Sequence, residues 1–145
     1  MIYPLHDCRP EEAAVGEQSP LNFVNVKNLR SLTVRTNFER IKQGSEVLSQ
    51  ALHTITSPFF SEFVLEVAHV FGAAEAIKGG WGRQETWAQL DDMFAMIDTE
   101  RGFRVVVRAE GVNMDSNFFA QARIRLPSMN AKGRLVLEIC KFVER

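Results

Sequence analysis

Apolar and polar residues alternate with period two in four separate stretches of the chain. The clearest is Phe103–Arg108, FRVVVR. Phe103, Val105 and Val107 fall on one side, and Arg104, Val106 and Arg108 on the other. Strict alternation in a valine-rich run predicts a strand. In Leu29–Thr36, Leu32 and Val34 alternate with Thr33 and Arg35. Glu62–Val70 sets Phe63, Leu65 and Val67 against Val64, Glu66 and Ala68. Arg134–Cys140 sets Leu135, Leu137 and Ile139 against Val136, Glu138 and Cys140.

Between the strands the period lengthens to that of a helix. Ser45–Ile55 carries Val47, Leu48, Ala51, Leu52 and Ile55 as a stripe, with the Ser45 hydroxyl placed to cap it. Pro58 then disfavours the helical conformation at Ser57. Phe71–Arg83 contains Gly72, Gly79, Gly80 and Gly82 and reads as a long loop. Thr86–Ile97 is the second helix. Trp87, Leu90, Met93, Phe94 and Ile97 share its inner face, and Gln89, Asp92 and Asp98 face away. Asp115 or Ser116 caps a third helix with Phe118, Phe119, Ala122 and Leu126. Pro127 either kinks that helix or opens a short one reaching Lys132, and Gly133 stops it.

Met1–Ser19 has no periodicity and is broken by Pro4, Pro10 and Gly16, with Pro20 just beyond. Residues 1–28 are expected to be an irregular lead-in draped over an edge, from which Leu21, Phe23, Val24 and Val26 dock. Residues 29–145 form one domain.

Strand–helix units in this order predict parallel pairing with right-handed crossovers. The strand starts near Ser31, Glu62, Phe103 and Arg134 recur after about 31, 41 and 31 residues, a repeat-like spacing. One side of the strands carries Arg35, Glu66, Arg104, Arg108 and Glu138. Burying unpaired charges costs several kcal/mol each, which argues against helices on both faces. The expected fold is α/β: four mainly parallel strands with helices on one face, a leucine-rich-repeat-like open arc whose other face stays wet.

Composition adds exclusions. Seventeen basic and 18 acidic side chains give a net charge of -1, so nothing steers the chain toward nucleic acid or anionic lipid. No apolar run approaches the ~20 residues of a membrane span. The N-terminus carries Asp7, Glu11 and Glu12 and no apolar signal core, so an intracellular protein is expected. Cys8 and Cys140 suggest no disulfide framework and read as reduced thiols.

Candidate chemistry is sparse. Asp91 and Asp92 point about 100° apart on a helix and do not form one carboxylate site. One is expected against a neighbouring loop and the other in solvent. His6, His53 and His69 lack metal-ligand spacing, and Cys140 carries no sign of a lowered thiol pKa. Gly79–Arg83, GGWGR, lacks the Lys-Ser/Thr ending of a phosphate loop. Trp81 at that loop tip either anchors a partner or folds back on the helix layer. Trp87 is expected in the core. No catalytic, cofactor or metal residue is nominated.

The second half resembles a known group. TWAQLDDMFA (Thr86–Ala95), the FRVVVR strand and LPSMNAKGRLVLEI (Leu126–Ile139) look like the C-terminal region of F-box and leucine-rich-repeat-like proteins of mushroom-forming fungi. The likeness covers roughly Leu29 to Val143. It rests on a Trp-x-x-Leu-Asp helix (Trp87, Leu90, Asp91) and a Leu-Pro…Gly-x-Leu close (Leu126, Pro127, Gly133, Leu135). The resemblance implies the substrate-recognition arm of a ubiquitin-ligase adaptor. No F-box helical pattern precedes the repeats, so recruitment of a ligase by this chain is not expected.

The expected function is therefore non-enzymatic binding of a protein partner. Arg35, Glu66, Arg104, Arg108, Glu138 and Trp81 are its candidate contact residues; cross-strand ion pairing on a solvated face is the plainer account of the charged ones. The rival is a small α/β enzyme at the carboxyl ends of the strands, around Val70–Gly82 and Ala109–Asp115, with Asp115, Glu110 and Arg83 as its polar residues. A truncated, functionless gene product is the third possibility.

Overall fold

Leu32, Val34, Phe63, Leu65, Val67, Val105, Val107 and Ala109 all lie in one buried cluster. All but Ala109, which follows FRVVVR, belong to the apolar halves of three of the alternating stretches. The computed structural model describes residues 3–5, 22–68, 70, 74–112 and 116–140. Its strands are β1 (Tyr3–Leu5), β2 (Ser31–Asn37), β3 (Glu62–Ala68), β4 (Arg104–Ala109) and β5 (Leu135–Ile139). Its α-helices are α1 (Ile41–Leu52), α2 (Ala74–Gly80), α3 (Gln84–Arg101), α4 (Asn117–Arg125) and α5 (Pro127–Ala131).

The strands form one sheet in the order β1-β2-β3-β4-β5. β2 to β5 are all parallel. Parallel strands added one after another through right-handed crossovers put every connecting helix on the same face. The core agrees: it joins that face of the sheet to Leu52, Trp87, Leu90, Phe94, Phe118 and Met129 of the helices. Val64 and Val106 point the other way. They too are buried but stand outside this cluster. The fold is thus α/β, as the alternation predicts.

Aromatic rings carry much of the core. Phe63 stacks on Phe94 at 5.6 Å, and Phe94 on Phe103 at 5.0 Å, tying β3 through α3 to the start of β4. Such pairs contribute about 0.5–1.5 kcal/mol beyond the area they bury.

Several expectations need correction. The glycine-rich stretch Phe71–Arg83 is not a long loop, because α2 occupies Ala74–Gly80. Two glycines at its end hide a seven-residue helix too short to show a full stripe. α1 begins at Ile41, after a 3-10 turn at Phe38–Arg40, so Ser45 is not its cap. Ser45 is buried inside the helix and donates to the Lys42 carbonyl at 3.2 Å. Val47 leaves the stripe and is exposed.

The lead-in also takes part in the fold. β1 adds a fifth strand, antiparallel to β2, with Tyr3 opposite Arg35. Pro4 suits an edge, where a missing N–H leaves no gap in a ladder. Phe23 is 2% exposed within the main core, and its amide donates to Thr54 Oγ1 at 2.7 Å.

Other local signals hold. Ser116 caps α4 by accepting from the Phe119 amide, and Pro127 opens α5 at its first turn. Gly133 has φ +72 where the chain leaves α5 for β5. Gly111, just after β4, has φ +90, and a Cβ there would lie 2.9 Å from the Val70 carbonyl. Only glycine fits such a backbone crossing.

Candidate functional site

The register of the sheet sets the charged residues in rows. Arg35 of β2 stands opposite Glu66 of β3, Glu66 opposite Arg108 of β4, and Arg108 opposite Glu138 of β5. Arg35 Nε lies 2.9 Å from Glu66 Oε1, and Arg108 Nη1 lies 2.9 Å from Glu66 Oε2. Arg108 Nε reaches Glu138 Oε1 at 2.7 Å. The signs alternate across four strands, and each carboxylate is hydrogen-bonded to at least one guanidinium. The partner residues are 31, 42 and 30 positions apart, within one residue of the spacing of the strand starts.

Two residues toward the amino ends lies the row Thr33, Val64, Val106 and Val136. Beyond it lies Ser31, Glu62 and Arg104. Glu62 Oε2 accepts from Arg104 Nε at 2.6 Å, and Oε1 accepts from Ser31 Oγ at 3.1 Å. The face is therefore a row of three valines and Thr33 between two charged rows. Val64 and Val106 are 3% and 2% exposed, so the expectation of a wet face fails at its centre. Arginine and glutamate stems border these valines, and such stems favour apolar neighbours while their heads reach water.

The charges differ in depth. The Glu66 side chain is 11% exposed and that of Glu62 25%, whereas Arg104 is 59%, Arg108 37% and Arg35 35% exposed. Glu138, on the edge strand, is 45% exposed. The carboxylates of the central strand sit low and the arginines rise around them. The hydrogen bond to Glu138 raises the Arg108 pKa most; burial opposes it and Glu66 reinforces it.

Trp81 does not belong to this surface. It is fully buried, stacked on Phe118 at 4.9 Å and edge-on to Trp87 at 5.1 Å. Trp87 Nε1 donates to the Trp81 carbonyl at 2.7 Å. The contact residue of the loop-tip reading is a core residue; the fold-back reading is the correct one. The short α2 carries the chain back onto the helix layer and takes Trp81 with it.

Cys140 follows β5 and is partly buried. Burial, then Glu66 and Glu110, push its thiol up to about 11. It is a poor nucleophile near neutral pH. His53 is exposed, with Nδ1 2.7 Å from the Ser49 carbonyl. His6, His69, Cys8 and Asp115 lie outside the described residues.

Two of the residues of the rival enzyme, Arg83 and Glu110, are engaged separately. Arg83 meets Glu85 at 3.2 Å and Glu46 at 3.6 Å at the start of α3. The Glu110 backbone bridges to Val67 and Val70. An open groove of about 400 Å³ does occur, but at the amino ends of the strands, between Arg30, Glu62, Arg104 and Arg134. Arg30 lies over the Phe59 ring at 4.9 Å there.

Three acidic residues have roles the pattern does not assign. Glu62 belongs to the ladder, and only strand register could have shown it. Asp91 is 2% exposed and accepts from the Ser128 and Met129 amides at 2.8 and 3.1 Å. Asp98 does not face away. It accepts from the Phe103 amide at 2.9 Å and pairs with Arg134 at 3.1 Å. Asp92 is in solvent, as expected of one member of that pair.

In comparisons with known proteins, no family model, curated relative or solved structure matches the chain. Trp87, Leu90, Asp91, Leu126 and Pro127 have structural roles in this fold. Trp87 and Leu90 fill the core, and Asp91 holds the turn opened by Leu126 and Pro127.

Proposed function

We propose that this chain is a protein-interaction domain whose contact surface is the charged face of the sheet. The observation that carries the reading is the depth difference on that face. Glu62 and Glu66 sit low, and Arg104, Arg108 and Arg35 stand above them. The low carboxylates hold the guanidinium groups in place, so a partner does not have to order long side chains itself. A partner with acidic side chains at matching spacing would meet Arg104 and Arg108 with charge-assisted hydrogen bonds. The resemblance to the recognition arm of F-box adaptors supports the same role.

Photo-cross-linking tests the proposal. A photoreactive residue at Arg104 reports on the charged face, and one at Met96, 64% exposed on α3, reports on the helix layer. Adducts from Arg104 alone are expected in extract of the source organism. Adducts only from Met96 would reject this face as the binding surface.

A further inference from the structure

The sheet ends on β5, which pairs only with β4 among the described residues. Its inner edge is settled by two bonds. The Arg134 carbonyl accepts from the Val105 amide, and the Cys140 amide donates to the Ala109 carbonyl, both at 2.9 Å. In a parallel ladder a residue turns its N–H and C=O to the same side, with period two. Arg134, Val136, Glu138 and Cys140 therefore bond inward. Leu135, Leu137 and Ile139 present their N–H and C=O outward. Leu135 and Leu137 are half-buried against the core, and Ile139 is 49% exposed. Unpaired edges with apolar flanks are templates for another strand.

The residues on this edge specify which strand. Arg134–Glu138 reads Arg-Leu-Val-Leu-Glu, which is complementary to itself when reversed. Antiparallel pairing of two copies centred on Val136 sets Arg134 against Glu138 of the second copy. It sets Leu135 against Leu137 and Val136 against Val136. The hydrogen-bonded pairs are then Leu135 with Leu137, which are the residues with outward backbone groups. The charged and valine pairs fall at the narrow positions, where opposed side chains approach most closely.

The charges are placed for this. Glu138 Oε1 is taken by Arg108, and Oε2 has no hydrogen-bond partner among the described residues. Arg134 meets Asp98 through Nε, is half-exposed, and keeps further N–H donors for a second carboxylate. Shifting the centre to Leu137 would oppose Glu138 to Val136 and lose both ion pairs.

We infer that two copies of this chain dimerise through antiparallel pairing of their β5 edges, centred on Val136, joining two five-stranded sheets into one. The second copy continues the alternation of the ladder by bringing Arg134 beside Glu138.

Register-specific cross-linking and charge exchange test this together. In the 145-residue chain with Cys8→Ala and Cys140→Ala, Val136→Cys is expected to form a disulfide-linked dimer on mild oxidation. Opposed Cα atoms at a narrow pair lie within disulfide reach. Leu137→Cys is not expected to cross-link, since its own copy is offset by two residues. In light scattering, Glu138→Arg and Arg134→Glu should each weaken the dimer by about tenfold or more. The double exchange should restore it. Within one chain the exchange still sets Arg108 against an introduced arginine and Asp98 against an introduced glutamate. Rescue can therefore come only from across the interface. Circular dichroism confirms that each variant is folded. A wild-type chain that stays monomeric at every concentration, preferential cross-linking through Leu137→Cys, or a dimer indifferent to the exchange would each overturn the inference.

Discussion

Asp91 Oδ2 accepts a hydrogen bond from the Ser128 amide at 2.8 Å, across 37 residues of chain. Oδ1 accepts from Met129 at 3.1 Å. These are two of the amides that a helix start leaves without intrahelical partners. α5 has no side-chain cap of its own, because its N-cap residue is Leu126. A carboxylate from α3 supplies the cap instead, and the same contact fixes α5 against α3 at the approach to β5.

Removing that carboxylate strands one buried donor, the Met129 amide, and one half-buried donor, the Ser128 amide. Asp91→Ala is expected to destabilise the fold by about 2–4 kcal/mol. Asp91→Asn keeps an acceptor and should lose less. Urea unfolding followed by circular dichroism measures both. Equal stability of Asp91→Ala and wild type would remove the cap from the account.

The ladder makes a different forecast. Glu66 separates Arg35 from Arg108, and its side chain is only 11% exposed. Glu66→Ala leaves two guanidinium groups facing each other and should cost about 1–3 kcal/mol, between the ranges for exposed and buried pairs. Part of that cost should fall at high salt, since the arginines are partly solvated. Chemical denaturation with urea at low and high salt distinguishes this from simple loss of packing.

Trp81 tests the helix layer. Trp81→Ala opens a cavity beside Trp87 and Phe118 and should cost about 3–5 kcal/mol. Trp81→Phe keeps the ring stacking and drops an indole N–H that has no acceptor among the described residues, so it should cost less. A surface tryptophan would show little difference among the three side chains in thermal unfolding.

Cys140 links stability to alkaline pH. Its thiol moves from an ordinary 9.0 to about 11 in the folded chain. The folded state therefore holds the proton more tightly than the unfolded state. The contribution is complete below 9.0 and is lost as pH rises to about 11. Cys140→Ser should flatten the stability profile in that window. Near neutral pH, iodoacetamide should modify Cys140 more slowly than a free cysteine. Identical profiles for the two side chains would contradict this placement.

The sheet is legible in the sequence because period two survives in every long strand. Arg104–Arg108 of FRVVVR lie in β4, and the arginines face away from the helices as the alternation requires. β1 is not legible: three residues around Pro4 give no period, and their pairing depends on a distant edge. α2 is hidden by Gly79 and Gly80. Asp98 escapes the pattern because helical spacing records direction around one axis, while its partners Phe103 and Arg134 arrive from beyond the helix end. The five charged candidates share one face, as alternation alone predicts. Which charge opposes which depends on register, and that arises only when the crossover helices set each strand's offset.

The charged face as a binding surface is tested most directly by recovery of a partner on immobilised chain. Arg104→Glu reverses the most exposed arginine of the ladder and leaves the helix layer untouched. Met96→Glu changes the helix layer and leaves the ladder untouched. The account predicts partner recovery by wild type and Met96→Glu, and its loss by about tenfold or more with Arg104→Glu. Equal recovery by all three, with Arg104→Glu folded, would contradict it.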